Sequence, residues 1–226
     1  TAALAGCSTS GTATPASAPT TTDAPATTER AEPTSTTPPT TSNAAESYVV
    51  GSTRVTGSTE HATYDVAIPQ LSGGDPAVTA EFNESMRAAL QDLIDGHDGQ
   101  DFALGDGYTP STTYVGRRVI SSEQITDWIA VPAGAHGDSL ISTVTIDVDT
   151  AQPITLGDAF TDLDAGLSRL SEQAAKILPT TRAGENFERS GIEPTVADFG
   201  NWTASPEGMN IHFGDYQVGA YGIGLI

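Results

Sequence analysis

Within the run Gly134-Ala135-His136-Gly137-Asp138-Ser139, an imidazole, a carboxylate and a hydroxyl fall in four consecutive positions, and glycines flank the imidazole. A hydrolase built here would use His136 as general base, Ser139 or another serine as nucleophile, and a carboxylate to orient the ring. A glycine-flanked histidine is more simply read as a turn residue whose ring bonds the backbone. The chain holds no G-x-S-x-G elbow, H-E-x-x-H helix, C-x-x-C pair or phosphate-binding loop, so the common local signatures of catalysis are missing. No residue is therefore assigned to catalysis, and His136 with Ser139 stands as the alternative reading. His61, His97 and His212 are scattered and make no metal-ligand spacing with a cysteine. The stretch Asp95-Gly96-His97-Asp98-Gly99-Gln100-Asp101, with Asp106 beyond it, is rich in oxygen ligands. Calcium-loop order fails there because His97 and Gly99 fall where ligands belong, and a solvated acidic loop is the expectation. Neither a metal nor a cofactor is expected. Trp202, Phe213, Tyr216 and Tyr221 read as core or edge aromatics; exposed, they would suit a protein interface. Residue types alone assign no ligand-binding position.

The strongest local motif lies at the other end of the chain. Leu4-Ala5-Gly6-Cys7 resembles the lipobox of bacterial lipoproteins, in which small residues admit the signal peptidase and the cysteine sulfur takes diacylglycerol. Cys7 is the sole cysteine, so no intrachain disulfide can form even in an oxidising compartment. Residues 1–7 are thus expected to be the end of a signal region with its lipidation site. Two or three acyl chains hold a protein firmly to a bilayer where one holds it weakly. Residues 8–46 are almost entirely Thr, Ser, Ala and Pro, with prolines at 15, 19, 25, 33, 38 and 39. Large apolar side chains are absent, so nothing can offset the entropy of ordering, and a disordered tether is expected. Its reach is on the order of 120 Å when extended and about 35 Å as a coil. The Thr/Ser/Pro content also suits O-glycosylation.

Charge narrows the partners. The chain carries 29 acids against nine bases, a net of -20, and Asp23, Glu29, Glu32 and Glu46 against Arg30 leave -17 on the remainder. Such a field repels nucleic acid and anionic headgroups and attracts cationic proteins or metal ions, while its plainest reading is solubility alone. Nucleic-acid binding is excluded for want of a basic patch that could release counterions. Lys176 is the single lysine, and with the abundance of Ala and Thr this points to a GC-rich, actinobacterial genome. No run approaches the eighteen apolar residues of a membrane span, so the remaining residues, about 180 of them, are expected to form one soluble monomeric domain.

The elements that must position these groups follow from periodicity. Extended structure begins near Tyr48-Val49-Val50, and Tyr64, Val66 and Ile68 alternate in a strand expected to end at Pro69. Asp75-Pro76 is a helix start, and Val78, Phe82, Met86, Leu90 and Leu93 mark one helical face through about Ile94. Two strands are expected over Thr113–Ser121 and Gln124–Val131, and another through Val144, Ile146 and Val148 before a turn at Asp149-Thr150. A short Ile154–Leu156 stretch leads through Asp158-Ala159-Phe160 into a second helix, with Leu163, Leu167, Leu170, Ala174 and Ile177 on its apolar face and Pro179 at its end. From Val196 to Ile226 the pattern reads as short strands. Strands outnumber helices without regular alternation, which predicts an α+β fold: a largely antiparallel sheet with two packed helices over residues 47–226.

Three segments carry a wider resemblance. Gly134-Ala135-His136-Gly137 precedes a strand, Ile154-Thr155-Leu156-Gly157-Asp158-Ala159-Phe160 precedes a helix, and Asn201-Trp202, Gly208–Phe213, Tyr216-Gln217-Val218 and Tyr221 close the chain. In order and spacing they resemble the RsiV-like extracellular domain family, found in bacterial envelope proteins that include the lysozyme-sensing part of an anti-sigma factor and a secreted mycobacterial antigen. Trp202 replaces a commoner phenylalanine and Gly219-Ala220 a commoner Ala-Pro. The family usually continues its last strand past the position of Ile226, which implies a chain truncated there. The resemblance implies a non-enzymatic binding or sensing domain at the outer membrane face, with a cationic protein such as lysozyme as ligand. An envelope esterase centred on His136 is the alternative, and a spacer without a ligand a third reading.

Overall fold

Apolar side chains at alternate positions of a strand reach one face, and the sheet forms where such faces meet the first helix. The structure, a computed structural model, describes residues 47–96 and 99–226. Cys7, the expected tether over 8–46, and His97 and Asp98 of the expected acidic loop lie outside the described residues. The first two strands, β1 (Val49–Ser58) and β2 (Ala62–Ser72), form a long antiparallel hairpin. The helix α1 (Pro76–Asp95) starts where expected: the Asp75 carboxylate accepts from the backbone N–H of Ala77 and Val78. Such a cap stabilises a helix by about 1 kcal/mol. Val78, Phe82, Met86, Leu90 and Ile94 are its buried stripe, four residues apart throughout.

Pro69 does not end its strand. β2 runs on to Ser72, with Pro69 paired opposite Ser52. The Ala67 N–H, two residues earlier and so on the same side, donates to the Asp106 carboxylate at 2.7 Å. On that side β2 has no partner strand beyond Tyr64, so proline removes no ladder bond there.

After α1 the chain enters β3 (Phe102–Asp106), which runs parallel to β2 over Ala62–Tyr64 and antiparallel to the central strand β5 (Val119–Ala130). This strand replaces the far part of the expected acidic loop: Phe102 and Leu104 are buried against α1, and the interruption by Ala103 and Gly105 hides their alternation. The next two strands also divide differently from expectation. The hairpin is β4 (Thr112–Val115) with β5, and the turn falls at Gly116-Arg117-Arg118, not after Ser121. Ser121, Ser122 and Gln124 look like a break but are buried in the middle of β5. The Ser121 hydroxyl pairs with Thr145 at 2.6 Å and accepts from Ala204 N–H at 3.0 Å, while Ser122 pairs with Thr113 at 2.8 Å. Satisfied this way, buried hydroxyls cost little.

β6 (Asp138–Asp147) lies along β5, and β7 (Gln152–Pro153) closes the order β1-β2-β3-β5-β6-β7, with β4 beside β5. Then come α2 (Leu163–Ile177), capped by the Asp162 side chain on Ala165 N–H, a short α3 (Val196–Phe199), and the hairpin β8 (Trp202–Ser205) with β9 (Gly208–Ile211). Val196 thus begins a helical turn and not a strand, because the Thr195 hydroxyl caps it on Asp198 N–H. At the last residue, Ile226 exchanges both backbone hydrogen bonds with Phe213. The fold is α+β, with a sheet that is antiparallel apart from the β2–β3 pair among the described strands.

β5 is covered on both faces. Ile120 and Trp128 face α1 and the first core of Val66, Ile68, Phe82, Met86 and Leu90. The opposite face, through Ser121, Glu123 and Asp127, receives the C-terminal segment, whose own core is built on Leu167, Leu178, Phe199, Trp202, Phe213 and Val218. Among the described residues no helix is long and apolar enough to cross a membrane.

Candidate functional site

His136 sits in the loop between β5 and β6, and the C-terminal segment brings two phenols to it. The ring lies on Tyr221, centroids 3.9 Å apart and 19° from parallel, and the Tyr216 hydroxyl is 3.2 Å from its Nε2. Nδ1 is 3.0 Å from the Gly137 carbonyl and 3.6 Å from Asp138 Oδ1. A carbonyl can only accept, so Nδ1 carries a hydrogen, and in the neutral ring Nε2 is left to accept from Tyr216. Both nitrogens are engaged.

Ser139, the expected nucleophile, is held differently. Its backbone N–H donates to the Asp215 carboxylate at 2.8 Å, and its hydroxyl makes no hydrogen bond to His136 among the described residues. The structure therefore brings His136 to Tyr216 and Tyr221, and Ser139 to Asp215, without joining imidazole and hydroxyl into the pair that a hydrolase requires.

Three carboxylates surround the rings. Asp127 projects from β5 opposite Gly105 on one side and Ser139 on the other, and it is only 9% exposed. It has no hydrogen-bond or ion-pair partner among the described residues. Burial first, then the charges of Asp215 and Asp138, push its pKa above the usual carboxylate range. Tyr221 is pushed up too, by desolvation and then by Asp215, Asp138 and Asp127, which places all three carboxylates in the field of its phenol. Asp138 Oδ1 is shielded from solvent and accepts no hydrogen bond. Asp138, Ser139, Asp215 and Tyr216 line a cleft of about 280 Å³ with Leu93 and Asn201.

The loop that carries Asp215 and Tyr216 is fixed by Gln217. Its amide donates to the carbonyls of Gly191 at 3.0 Å and Asp198 at 2.9 Å and accepts from Gly214 N–H at 3.1 Å. Gly191 must be glycine for this packing, since a Cβ there would collide with the Gln217 carbonyl. Tyr216 itself takes the left-handed conformation, φ 63°, which a tyrosine adopts only when its surroundings impose it.

A second polar chain lies further along β5. Glu123 Oε2 is 2.7 Å from His212 Nδ1, and His212 Nε2 is 2.8 Å from the Thr203 hydroxyl. The order hydroxyl, imidazole, carboxylate resembles a catalytic relay. Thr203, at 7% exposure within β8, has no face open to a substrate, so the chain serves as a tie between the sheet and the C-terminal hairpin. Elsewhere Arg54 binds Asp65 and Asp106, both at 2.6 Å, and His61 Nδ1 lies 2.9 Å from Asp101 Oδ1. Asp127, Asp215 and Glu123 were not singled out in the sequence. The one signal for Asp127 is an acid inside the apolar run Ile125-Thr126-Asp127-Trp128-Ile129.

Fold and site together describe an α+β domain with a cluster of acidic and aromatic side chains around His136. The sequence matches no family model and no curated protein. Among solved structures the chain is similar to a member of the DUF3298 family from Bacteroides fragilis, with a TM-score of 0.51 and 12% identity over 80% of this chain and 89% of that one. It is also similar to a DUF3298 family protein from Pseudomonas aeruginosa, with a TM-score of 0.49 and 13% identity over 80% and 87%. At such identities the likeness is one of fold.

Proposed function

We propose that the chain is a lipid-anchored lipoprotein of the cell envelope whose domain binds a cationic protein, such as lysozyme, without catalysing a reaction. The observation that carries this reading is the state of His136: both ring nitrogens are occupied, the ring is stacked on Tyr221, and three carboxylates surround the pair. Such a cluster can recognise positive charge but has no free base with which to activate Ser139. The charge of -17 beyond the tether favours the same class of partner. Anchoring rests on Leu4-Ala5-Gly6-Cys7 and on the tether that follows it. Immobilised lysozyme should retain the chain at low salt, and a chromogenic ester should be turned over no faster by the wild type than by His136→Ala. Ester turnover that disappears in His136→Ala would replace this reading with the esterase one.

A further inference from the structure

We infer that Asp127 anchors a site for a single organic cation, the guanidinium or ammonium end of one basic side chain, closed by Asp138, Asp215, Tyr216 and Tyr221. The inference rests on the binding reading above and gives it an address.

A carboxylate that is nine-tenths buried normally has a partner, because leaving it unpaired costs the fold desolvation energy without return. Asp127 is 9% exposed and has neither a hydrogen bond nor an ion pair among the described residues. Elsewhere in the sheet Arg54 pairs with Asp65 and Asp106, and His212 with Glu123. Its neighbours make the anomaly larger, since Asp215 and Asp138 add negative charge. Space is available beside it: the cross-strand residue on β3 is Gly105, and nothing lies within 4 Å of where a side chain there would begin. On the other side its cross-strand neighbour is Ser139, which with Asp138, Asp215 and Tyr216 lines the cleft of about 280 Å³.

The geometry also selects the type of cation. Among the described residues no three carboxylate or imidazole groups converge closely enough to hold a metal ion. Carboxylates spread around a phenol suit a larger cation whose several N–H donors point apart, and the Tyr216 and Tyr221 rings add faces that attract positive charge. Asp215 and Tyr216 are set rigidly by Gln217, so the site is formed before the ligand arrives.

The test uses the full 226-residue chain, isotope-labelled, with N-acetyl-arginine methylamide and its lysine counterpart as probes. Either probe should produce saturable shifts at the Ser139, Asp215 and Tyr221 amides and cross-relaxation to the Tyr221 ring. Asp127→Asn should weaken binding about tenfold or more, as expected for losing a desolvated charged contact, while the exposed Glu207→Gln should not. Asp127→Asn should also raise the thermal midpoint near neutral pH, a sign opposite to that of a carboxylate holding the fold together. Shifts spread over the surface, shifts that survive in Asp127→Asn, or no contact with Tyr221 in the wild type would overturn the inference. Lysozyme retained by a chain that binds neither probe would overturn this site and leave the wider reading standing. Probes bound at Asp127 without lysozyme retention would support the site and reject lysozyme as the partner.

Discussion

Glu123, at the centre of β5, and His212, just beyond β9, meet at 2.7 Å with both side chains largely out of solvent. The contact fastens the C-terminal segment to the sheet, and the His212 hydrogen bond holds the Glu123 carboxyl below its ordinary value of 4.5. A carboxylate depressed in the fold stabilises it fully above the unfolded value, and that stability disappears as pH falls through the folded value. Glu123→Ala should therefore cost about 2 kcal/mol at pH 7, as for a hydrogen bond to a charged group. The difference from wild type should shrink below pH 4.5. Urea unfolding of both proteins across that range checks it. A gap that is constant with pH would mean that the charge contributes nothing.

Gly191→Ala should destabilise the C-terminal segment by more than a surface substitution does, on the order of 2 kcal/mol, because the new methyl meets the Gln217 carbonyl. Hydrogen exchange should quicken at Gly214 and His212 while the α1 amides keep their protection. Equal loss of protection in α1 would show that the two cores unfold as one.

Phe82→Ala removes a ring with no exposed surface from the core between α1 and the sheet. The expected cost is about 3–5 kcal/mol, read as a lowered denaturant midpoint with an unchanged slope. A cost under about 1 kcal/mol would mean that this core tolerates cavities unusually well.

Association with lysozyme should slow as salt rises, since the screening length falls from about 30 Å at 0.01 M to about 8 Å at physiological strength. Dissociation should change less, because it reports the packed centre of an interface. Surface-coupled kinetics at several salt concentrations separate the two, and an association rate insensitive to salt would reject electrostatic steering.

Cys7→Ser should move the precursor from the detergent phase into the soluble or unprocessed pool. Detergent partitioning unchanged by the substitution would reject lipid anchoring through Cys7.

Local signals were strong enough in the sequence to define α1 and α2. A capping aspartate before α1, and apolar residues on one face of each helix, need no distant partner to be legible. The α+β class and the alternation through Val144 and Ile146 were legible for the same reason. What escaped depended on contacts made far along the chain. Pro69 could be read as a strand end only in ignorance of Asp106, which lies 37 positions later and marks the side where β2 lacks a partner strand. Ser121 and Ser122 looked like a turn because their partners Thr145, Ala204 and Thr113 cannot be inferred from neighbouring residues. His136 and Ser139 were visible as chemistry, but adjacency in sequence did not make them a pair. Tyr216 and Asp215, some 76 to 80 positions away, took one nitrogen of the ring and the serine N–H. The sequence by itself determined which residues could be buried and where helices begin. Tertiary structure alone decided which polar groups are satisfied, because a hydrogen bond depends on what the whole fold brings within 3 Å, and it left Asp127 without a partner among the described residues.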